Sequence, residues 1–366
     1  MSSSQTLPTS QRALQFTAPT PLTTLHLNRT APVPPLPTTG IQTLIRIHST
    51  SLNPVDYKLA SLPSPLPRLL IGSSPITPGT DFVGRVVSTT HPDLKSGDLV
   101  FGKLDAPSKY GTCAEFTVVK GKSGLVKVPE GWENSGMKLE EFAGVGVAAL
   151  TALMSLRKAD LPYNTSNGQE TGGKVFINGG SGGVGTFTVQ LAKHVFGCHV
   201  VASCSGANVD LVKSLGADEV IDYKSKKVLD ALNEFRQRNG EFDAVIDLVG
   251  ADPDIYYQSH HYLKAQEGRF IQIGGGIDLG SVITMAKVAL WPGILGGGKR
   301  SWMFASLGAA EPKDLDFIGK SMVERKLKCV VDDENVFDLE DGKSAFEKLK
   351  SGRTRGKIII RCGDGS

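Results

Sequence analysis

The sequence KVFINGGSGGVGTFTVQLA, residues 174–192, joins a short apolar run to a glycine-rich turn and then to an apolar segment of helical period. Its glycines Gly180, Gly182 and Gly185 have the spacing G-x-G-x-x-G. This pattern predicts a strand, a tight turn and the first turn of a helix, where backbone N–H groups and the helix dipole bind the pyrophosphate of a dinucleotide. Glycine is needed there because a Cβ would obstruct both the turn and the approach of the phosphates.

The residues that follow this turn support the same interpretation, although the chain contains 42 glycines and such a spacing can arise by chance. A strand-like run at 199–203 comes at the interval expected for a strand–helix–strand unit. Further segments alternate in the same way: a helix at 209–215, a strand at 219–223, a helix at 227–238 and strands at 242–247 and 268–273. We therefore predict an α/β fold with a parallel, doubly wound sheet of the Rossmann type.

The composition argues against several classes of protein. The 40 basic and 37 acidic residues leave a net charge of +3, which favours no nucleic-acid partner. Five scattered cysteines without a C-x-x-C pair indicate a reducing compartment rather than a disulfide framework or a structural zinc site. The Ser- and Thr-rich start leaves only about ten residues before the strand-like run at 12–16, which is short for a presequence. We expect a cytoplasmic protein.

The first 140 residues have the pattern of a compact, barrel-like β domain, because short strand-like runs are separated by prolines and glycines. These runs are 41–47, 81–87, 98–102 and 114–119, and the proline-rich segments 31–37 and 63–78 are expected to be loops. From 139 to 156 the apolar period becomes helical, and this segment leads into the nucleotide-binding domain. The apolar run at 356–360 is expected to return to the first domain as a closing strand.

The end of the second strand-like run bears on the choice of dinucleotide. An NAD site usually has Asp or Glu there to bind the ribose hydroxyls, whereas residues 203–208 contain no carboxylate. The side chains of Ser203, Ser205 and Asn208 can donate hydrogen bonds to a 2′-phosphate, and Tyr223 adds a hydroxyl and an aromatic face. The sequence therefore predicts NADPH. The alternative is an unselective ribose pocket, because no arginine is present to bind the phosphate bidentately.

Four segments and the C-terminal residues 355–357 resemble, in order along the chain, the zinc-independent quinone oxidoreductase and enoyl reductase branch of the medium-chain dehydrogenase/reductase superfamily. The segments are 53–58, 78–84, 180–185 and 215–223. The resemblance implies a GroES-like β-rich catalytic domain made from residues 1–145 and 310–366. It also implies a Rossmann NADPH-binding domain made from residues 146–309.

The resemblance also implies whether a catalytic metal is bound and which reaction is catalysed. Zinc-dependent relatives have a metal-ligand cysteine near the first of these segments and Gly-His-Glu near the second. This chain has Asn-Pro-Val-Asp at 53–56 and Gly-Thr-Asp at 79–81, and no catalytic zinc is predicted. The implied reaction is hydride transfer from NADPH to a small molecule, either an α,β-unsaturated carbonyl (an enone) or a quinone.

Individual roles follow from the same resemblance. Tyr57 and Lys58 are candidates for the hydrogen-bond donor or proton source, and the alternatives are that Tyr57 only lines the pocket and Lys58 only binds a cofactor ribose. The expected cofactor contacts are Asn53 on the nicotinamide ribose, Thr151 on the ring, Ser181, Gly182, Gly183 and Val184 on the pyrophosphate, Leu248, Val249, Ile273 and Gly274 at the nicotinamide end, and Lys357 near the C-terminus.

Other functions stay open at this stage. The chain could be an NADPH-dependent carbonyl reductase, or a non-catalytic NADPH-binding protein that contacts a partner or a membrane surface through the apolar segment 288–298. That segment could also be a substrate lid or an interface loop. The adjacent His260 and His261 are expected on a solvated helix, and the sequence is compatible with a monomer or a homodimer.

Overall fold

The computed structural model describes residues 7–18, 20–62, 74–105, 108–161, 172–276, 279–291, 297–305, 308 and 310–363. The chain forms two compact units. The first comprises Met1–Val147, Gly308–Arg325 and Val331–Ser366, and the second comprises Ala148–Leu307 and Lys326–Val330. The sequence-based boundaries lie at 145/146 and 309/310, and they do not foresee the return of Lys326–Val330 to the second unit.

Strands predominate before residue 130, and strands and helices alternate from residue 174 onward. In chain order, the strands are β1 (Ser10–Gln15), β2 (His26–Pro32), β3 (Gln42–Leu52), β4 (Asp81–Thr89), β5 (Leu99–Lys103), β6 (Phe116–Lys120), β7 (Leu125–Lys127), β8 (Lys174–Asn178), β9 (His199–Cys204), β10 (Glu219–Asp222), β11 (Ala244–Asp247), β12 (Arg269–Gln272), β13 (Ser301–Phe304), β14 (Val336–Asp338) and β15 (Ile358–Arg361). The α-helices are Pro21–Thr24, Val55–Lys58, Gly146–Lys158, Gly183–His194, Val209–Ser214, Val228–Asn239, Asp254–Tyr257, Leu279–Leu290, Pro312–Val323 and Gly342–Lys350.

The first unit is built on a sheet of order β14-β15-β3-β4-β5-β7, and β6 also pairs with β3. The long strand β3 is buried along most of its length because its apolar residues pack into the core formed by both ends of the chain. The C-terminal strand β15 pairs antiparallel with β3, with Ile358 opposite Leu52. This register brings Lys357, just before β15, to the end of β3 where Asn53 follows.

Two sequence expectations differ in part from the structure. The sequence predicts a loop at 31–37, but β2 continues through Pro32, because Ala31 is buried and pairs with Gln11, and the loop begins at residue 33. The sequence predicts one helix at 139–156, but this segment is a 3-10 helix at Leu139–Gly144 followed by the α-helix Gly146–Lys158. The carboxylate of Asp81 accepts the Val147 N–H at 2.8 Å, so the α-helix begins where this side chain satisfies its first turn.

The second unit is a six-stranded parallel sheet in the order β10-β9-β8-β11-β12-β13. The order reverses between β8 and β11, which is the position where doubly wound sheets bind their ligands. Aromatic side chains fill one side of the sheet, with Phe235 and Phe242 stacked at 4.5 Å between ring centroids. The predicted doubly wound parallel sheet is confirmed, although the sequence analysis missed β13, whose four residues are mostly exposed.

The apolar segment 288–298 begins as the end of the helix Leu279–Leu290 rather than as a loop. Leu290 is 80% exposed and Trp291 is 50% exposed, whereas residues 292–296 lie outside the described part of the chain. Within the described residues, no helix is both long enough and apolar enough to cross a bilayer. His260 and His261 lie on a short 3-10 helix, Ser259–His261.

Candidate active site

The glycine-rich turn after β8 is tightly packed at two of its glycines and open at the third. A Cβ on Gly185 would lie 2.1 Å from the Gly179 carbonyl oxygen, and a Cβ on Gly180 would lie 3.0 Å from a side-chain carbon of β9. A Cβ on Gly182 would meet only the Gly179 oxygen, at 3.7 Å. The turn therefore leaves free space beside Gly182 at the N-terminus of the helix Gly183–His194, as a bound pyrophosphate requires.

A hydrogen-bonded network fixes this turn against the neighbouring strand β9. The Ser203 hydroxyl donates to the Asn178 side-chain oxygen at 2.6 Å and accepts the Gly179 N–H at 3.0 Å. Ser203 is 1% exposed. Its hydroxyl is thus engaged inside the protein, where it orients the backbone at the start of the turn.

The same network continues to β11 through Asp247. The Asn178 amide donates to the Asp247 carboxylate at 2.9 Å, and the same oxygen accepts the N–H groups of Val249 and Gly250 at 3.0 Å each. Burial raises the pKa of Asp247, and the hydrogen bond from Gly250 acts in the opposite direction. A Cβ on Gly250 would lie 2.4 Å from the Gly274 oxygen. The loops after β11 and β12, which contain Leu248, Val249, Ile273 and Gly274, are therefore packed directly against each other.

Three of the predicted adenosine-end or pyrophosphate residues meet at the carboxyl end of β9. The Asn208 amide donates to the hydroxyls of Ser181 and Ser205 at 3.1 and 3.2 Å. Tyr223 follows the adjacent strand β10 and is 53% exposed. The sequence analysis missed a carboxylate at the same place. A Cβ on Gly206 would lie 2.7 Å from an oxygen of Asp222, so the Asp222 side chain lies next to the loop that follows β9.

A buried polar cluster surrounds Asn53 in the first unit. The Lys357 ammonium, in a residue only 3% exposed, donates to the Leu52 carbonyl at 3.1 Å and to the Asn53 side-chain oxygen at 2.6 Å, and it lies 3.5 Å from Asp81 Oδ2. That oxygen also accepts hydrogen bonds from the Asn53 amide at 2.8 Å and from Ser51 at 3.0 Å. Two hydrogen bonds and one ion pair thus surround the ammonium, and its hydrogen bond to the Asn53 side-chain oxygen fixes the orientation of the Asn53 amide.

A second carboxylate, Asp56, lies on the other side of Asn53. One Asp56 oxygen accepts the Asn53 backbone N–H at 2.7 Å, and the other accepts the Thr80 hydroxyl at 3.2 Å. Burial raises the pKa of Asp56 to about 7. Thr80 is only half-buried, so its hydroxyl connects the buried carboxylate to the surface of the cluster.

The remaining predicted residues lie in separate parts of the chain. Tyr57 and Lys58 are half-buried on the short helix Val55–Lys58 of the first unit. Tyr57 packs against the apolar core, and burial raises the pKa of its phenol. Thr151 is buried in the helix Gly146–Lys158. The structure therefore unites Asn53 with Lys357 in the first unit, and Ser181 with Ser205 and Asn208 in the second.

The cluster lies in the two segments near which the resemblance places zinc ligands in zinc-dependent relatives: a cysteine near 53–56 and Gly-His-Glu near 78–84. In these segments this chain contributes Asn53, Thr80 and Asp81 to the cluster. In the described part of the chain, no three His, Cys, Asp or Glu side chains are arranged to hold a metal ion. The cation held by Asn53 and Asp81 in this structure is the ammonium of Lys357.

The sequence analysis did not single out Asp56, Thr80, Asp81, Asn178 or Asp247. Local signals for all five were present in the sequence. Asp56, Thr80 and Asp81 lie in the quoted segments 53–58 and 78–84, and Asn178 and Asp247 each end a strand of the nucleotide-binding sheet. Polar residues at the carboxyl ends of adjacent parallel strands converge on one edge, where a parallel sheet binds its ligand.

The strand order and the open glycine turn define a dinucleotide-binding protein. Residues 40–161 match the family described as alcohol dehydrogenase GroES-like domain, and residues 215–360 match the family described as zinc-binding dehydrogenase. With these matches and a relative that is 41% identical over 97% of the chain, described next, the chain belongs to the medium-chain dehydrogenase/reductase superfamily, in its enoyl reductase-like branch, and is an oxidoreductase.

Similar proteins cover almost the whole chain. A trans-enoyl reductase of Aspergillus terreus, pgmF, is 41% identical over 370 residues, with 97% of both chains covered. The 2-methylene-furan-3-one reductase of Solanum lycopersicum is 30% identical, with 98% of this chain and 81% of the other covered. The structure of the quinone oxidoreductase from Coxiella burnetii superposes with a TM-score of 0.76 at 30% identity and covers 96% of this chain and 99% of that one.

Proposed function

We propose that this protein reduces an activated carbon–carbon double bond, conjugated to a carbonyl, or a quinone, with NADPH as the hydride donor. The observation that carries the proposal is the similarity over 97% of both chains to a protein named trans-enoyl reductase. The open space beside Gly182 supports it, because a Cβ there would meet only one atom within 4 Å and a helix N-terminus is where a pyrophosphate binds. When bound, the nicotinamide supplies the hydride, and the protein supplies position and charge stabilisation.

The residues proposed to hold the dinucleotide fall into two groups. Gly182, Gly183 and Val184 at the helix N-terminus bind the pyrophosphate, with Ser203 fixing the turn from beneath. Asn53 binds the nicotinamide ribose, and Lys357 orients its amide. The other contacts remain as the sequence analysis assigned them: Thr151, Leu248, Val249, Ile273 and Gly274 at the nicotinamide end, and Tyr57 and Lys58 as candidate donors to the substrate oxygen.

We propose NADPH rather than NADH for the adenosine end. Ser181, Ser205 and Asn208 form a connected set of hydroxyl and amide groups there, and such groups can donate to a 2′-phosphate. The carboxylate of Asp222 acts against a phosphate in the same region. Equilibrium binding of NADPH and NADH to the wild type and to Asn208→Asp tests the assignment. NADPH should bind more tightly to the wild type, and the added carboxylate should weaken NADPH binding about tenfold or more while leaving NADH within about threefold.

We also propose that the reaction uses no zinc. The ammonium of Lys357 already neutralises Asp81, and Asn53 and Thr80 replace stronger zinc ligands with an amide and a hydroxyl. Turnover should therefore survive prolonged dialysis against a chelator, with less than one equivalent of zinc in the active protein. Activity that disappears on dialysis and returns with zinc would contradict this.

The test of the reaction is oxidation of NADPH with a panel of acceptors: a quinone, an aliphatic enone, an aromatic enone and a saturated ketone. The proposal expects turnover of the enones or the quinone and none of the saturated ketone. Product analysis should find a saturated carbonyl compound or a hydroquinone. Turnover of the saturated ketone alone would instead identify a carbonyl reductase, and tight NADPH binding without turnover of any acceptor would favour a non-catalytic binding protein.

We further propose a cytoplasmic location, since all five cysteines are free and buried, as suits a reducing compartment.

A monomer and a homodimer are both compatible with the fold. The edge strand β13 exposes Met303 and Phe304, at 38% and 42%, and an edge of this kind is a place where a second chain can pair. Sedimentation of the wild type and of Met303→Lys distinguishes the two states. A peripheral membrane contact through Leu290 and Trp291 predicts vesicle binding that Leu290→Asp abolishes.

A further inference from the structure

Asp56 and Thr80 form a hydrogen-bonded pair that joins the interior of the first unit to its surface. Asp56 is 8% exposed, and its two oxygens accept the Asn53 N–H and the Thr80 hydroxyl. Thr80 also lies 3.4 Å from the Asn53 amide nitrogen. The hydroxyl is therefore next to the residue that we assign to the nicotinamide ribose, while the carboxyl group lies behind it.

The charges around Asp56 favour its protonated form. The groups that face it are Asp81, Lys357 and the buried thiol of Cys113. Lys357 donates hydrogen bonds to Leu52 and Asn53 and forms an ion pair with Asp81 at 3.5 Å. The ammonium next to these two buried carboxylates is therefore paired with Asp81 rather than with Asp56. A charge in such surroundings is costly, which agrees with a pKa of about 7 for Asp56.

The protonation state of Asp56 decides which way the single hydroxyl proton of Thr80 points. When Asp56 is ionised, it can only accept, and Thr80 donates inward to the carboxylate oxygen 3.2 Å away. When Asp56 is protonated, its own O–H donates to Thr80, and the threonine proton is then available on the outer side. A neutral Asp56 thus makes Thr80 a donor toward the substrate.

We infer that Thr80, rather than the candidates Tyr57 and Lys58, is the acid that protonates the substrate oxygen during reduction and that Asp56 is the positioning residue that stores and resupplies this proton. The inference rests on the proposed function. Hydride adds to the β-carbon of the enone, and the double-bond electron pair moves to form an enolate. The Thr80 O–H bond breaks as an O–H bond forms on the enolate, and Thr80 recovers a proton from Asp56. The resulting enol tautomerises in solvent, and Asp56 regains a proton from water.

The test is the pH profile of kcat/KM for one enone at saturating NADPH. For the wild type we expect a constant value below about pH 7 and a tenfold fall per pH unit above it. Asp56→Asn should lack this fall and should be about 10- to 100-fold slower at pH 6. Thr80→Val should be slowed to a similar extent, while Thr80→Ser should retain both the activity, to within about fivefold, and the fall above pH 7.

Ser51→Ala is the matched control, because Ser51 binds the same cluster through Asp81 but contacts neither Asp56 nor Thr80. Its profile should keep the fall near pH 7. A fall that persists unchanged in Asp56→Asn, or a Thr80→Val enzyme within about twofold of the wild type at pH 6, would overturn the relay.

A second measurement separates this inference from the proposed reaction. In protein labelled with ¹³C at the aspartate carboxyl groups, the signal that Asp56→Asn removes should titrate near pH 7. Its midpoint should rise further in Thr80→Val, because the lost hydrogen bond favours the charged form. A midpoint near the ordinary value for Asp contradicts the relay even if enones are reduced. If the wild type titrates as expected but reduces no acceptor, the proposed function is wrong. The Asp56–Thr80 pair then holds a proton near pH 7, but it does not pass this proton to an enone.

Discussion

Replacing Lys357 by methionine removes the one ammonium of the Asn53 cluster while keeping most of the side-chain volume. Asp81 is fully buried, and it retains hydrogen bonds from Ser51, Asn53 and the Val147 N–H. Removing one partner of a buried ion pair costs about 3–5 kcal/mol, because the remaining charge stays buried without compensation. The three remaining donors place the expected loss in unfolding free energy at the lower end, about 3 kcal/mol.

The assay is urea unfolding at pH 7, followed by far-ultraviolet circular dichroism and by tryptophan fluorescence, so that separate transitions of the two units are visible. The matched control is Lys320→Met. Lys320 forms an exposed ion pair with Asp316 one turn away at 2.7 Å, and such pairs contribute only about 0.3–0.5 kcal/mol. The double variant Lys357→Met/Asp81→Asn removes both charges and should lose less stability than the sum of the two single changes.

The same substitution should also weaken NADPH binding, because the Asn53 amide loses the donor that fixes its rotamer. We expect a decrease of about 10-fold or more, comparable to the loss of metal affinity when an outer-shell partner of a metal ligand is removed. A Lys357→Met protein whose unfolding free energy lies within about 1 kcal/mol of the wild type would refute the reasoning, since the buried charge of Asp81 would then not need its partner.

The other predictions concern the glycine turn, Asp56 and Ser203. Gly182→Ala should keep the wild-type Tm but lose NADPH binding, whereas Gly185→Ala, whose Cβ would lie 2.1 Å from a backbone oxygen, should lower the Tm itself; thermal unfolding with and without NADPH checks both. Because the pKa of Asp56 is raised to about 7 from 3.8, the native state binds more protons than the unfolded state between these values, so the unfolding free energy should fall as pH rises through this window. Asp56→Asn should flatten that dependence, and equal slopes in the two proteins would contradict the burial of this charge. Ser203→Ala should cost about 1–3 kcal/mol, because it leaves the buried Asn178 oxygen without its donor; an unchanged urea midpoint would refute the role of the network.

The nucleotide-binding sheet was the most predictable part of the fold from sequence. The glycine spacing at 180–185 and the alternation of strands and helices are local patterns, and each is visible within about thirty residues. The missed strand β13 is short and exposed, so it lacks the apolar pattern that identifies a buried strand. The division of 139–156 into two helices depends on the Asp81 carboxylate, which is distant in sequence, so local periodicity does not reveal it.

The candidate site was predictable in its residues but not in its connections. Asn53 and Lys357 were both identified through the family resemblance, yet the sequence does not show that they contact each other, since 304 positions separate them. The Ser203 hydroxyl is a second contact that the sequence did not reveal, since it donates to Asn178 inside the protein. A serine at the end of a strand is compatible with both a buried and an exposed hydroxyl. Asp222 comes beside the end of β9 only through the pairing of β10 with that strand.

The pairing of β15 with β3 has a consequence for the order in which the chain folds during its synthesis. Leu52 leaves the ribosome long before its partner Ile358, and at about 5–20 residues per second the interval is on the order of 15–60 s. Throughout that time the part of the β3 edge that β15 covers, Ser49–Leu52, is exposed to other chains and to chaperones, whereas β6 can already pair with Gln42–Arg46. The described strands of the second unit all lie within that interval, so this unit can acquire its fold first. The first unit is then completed after the second.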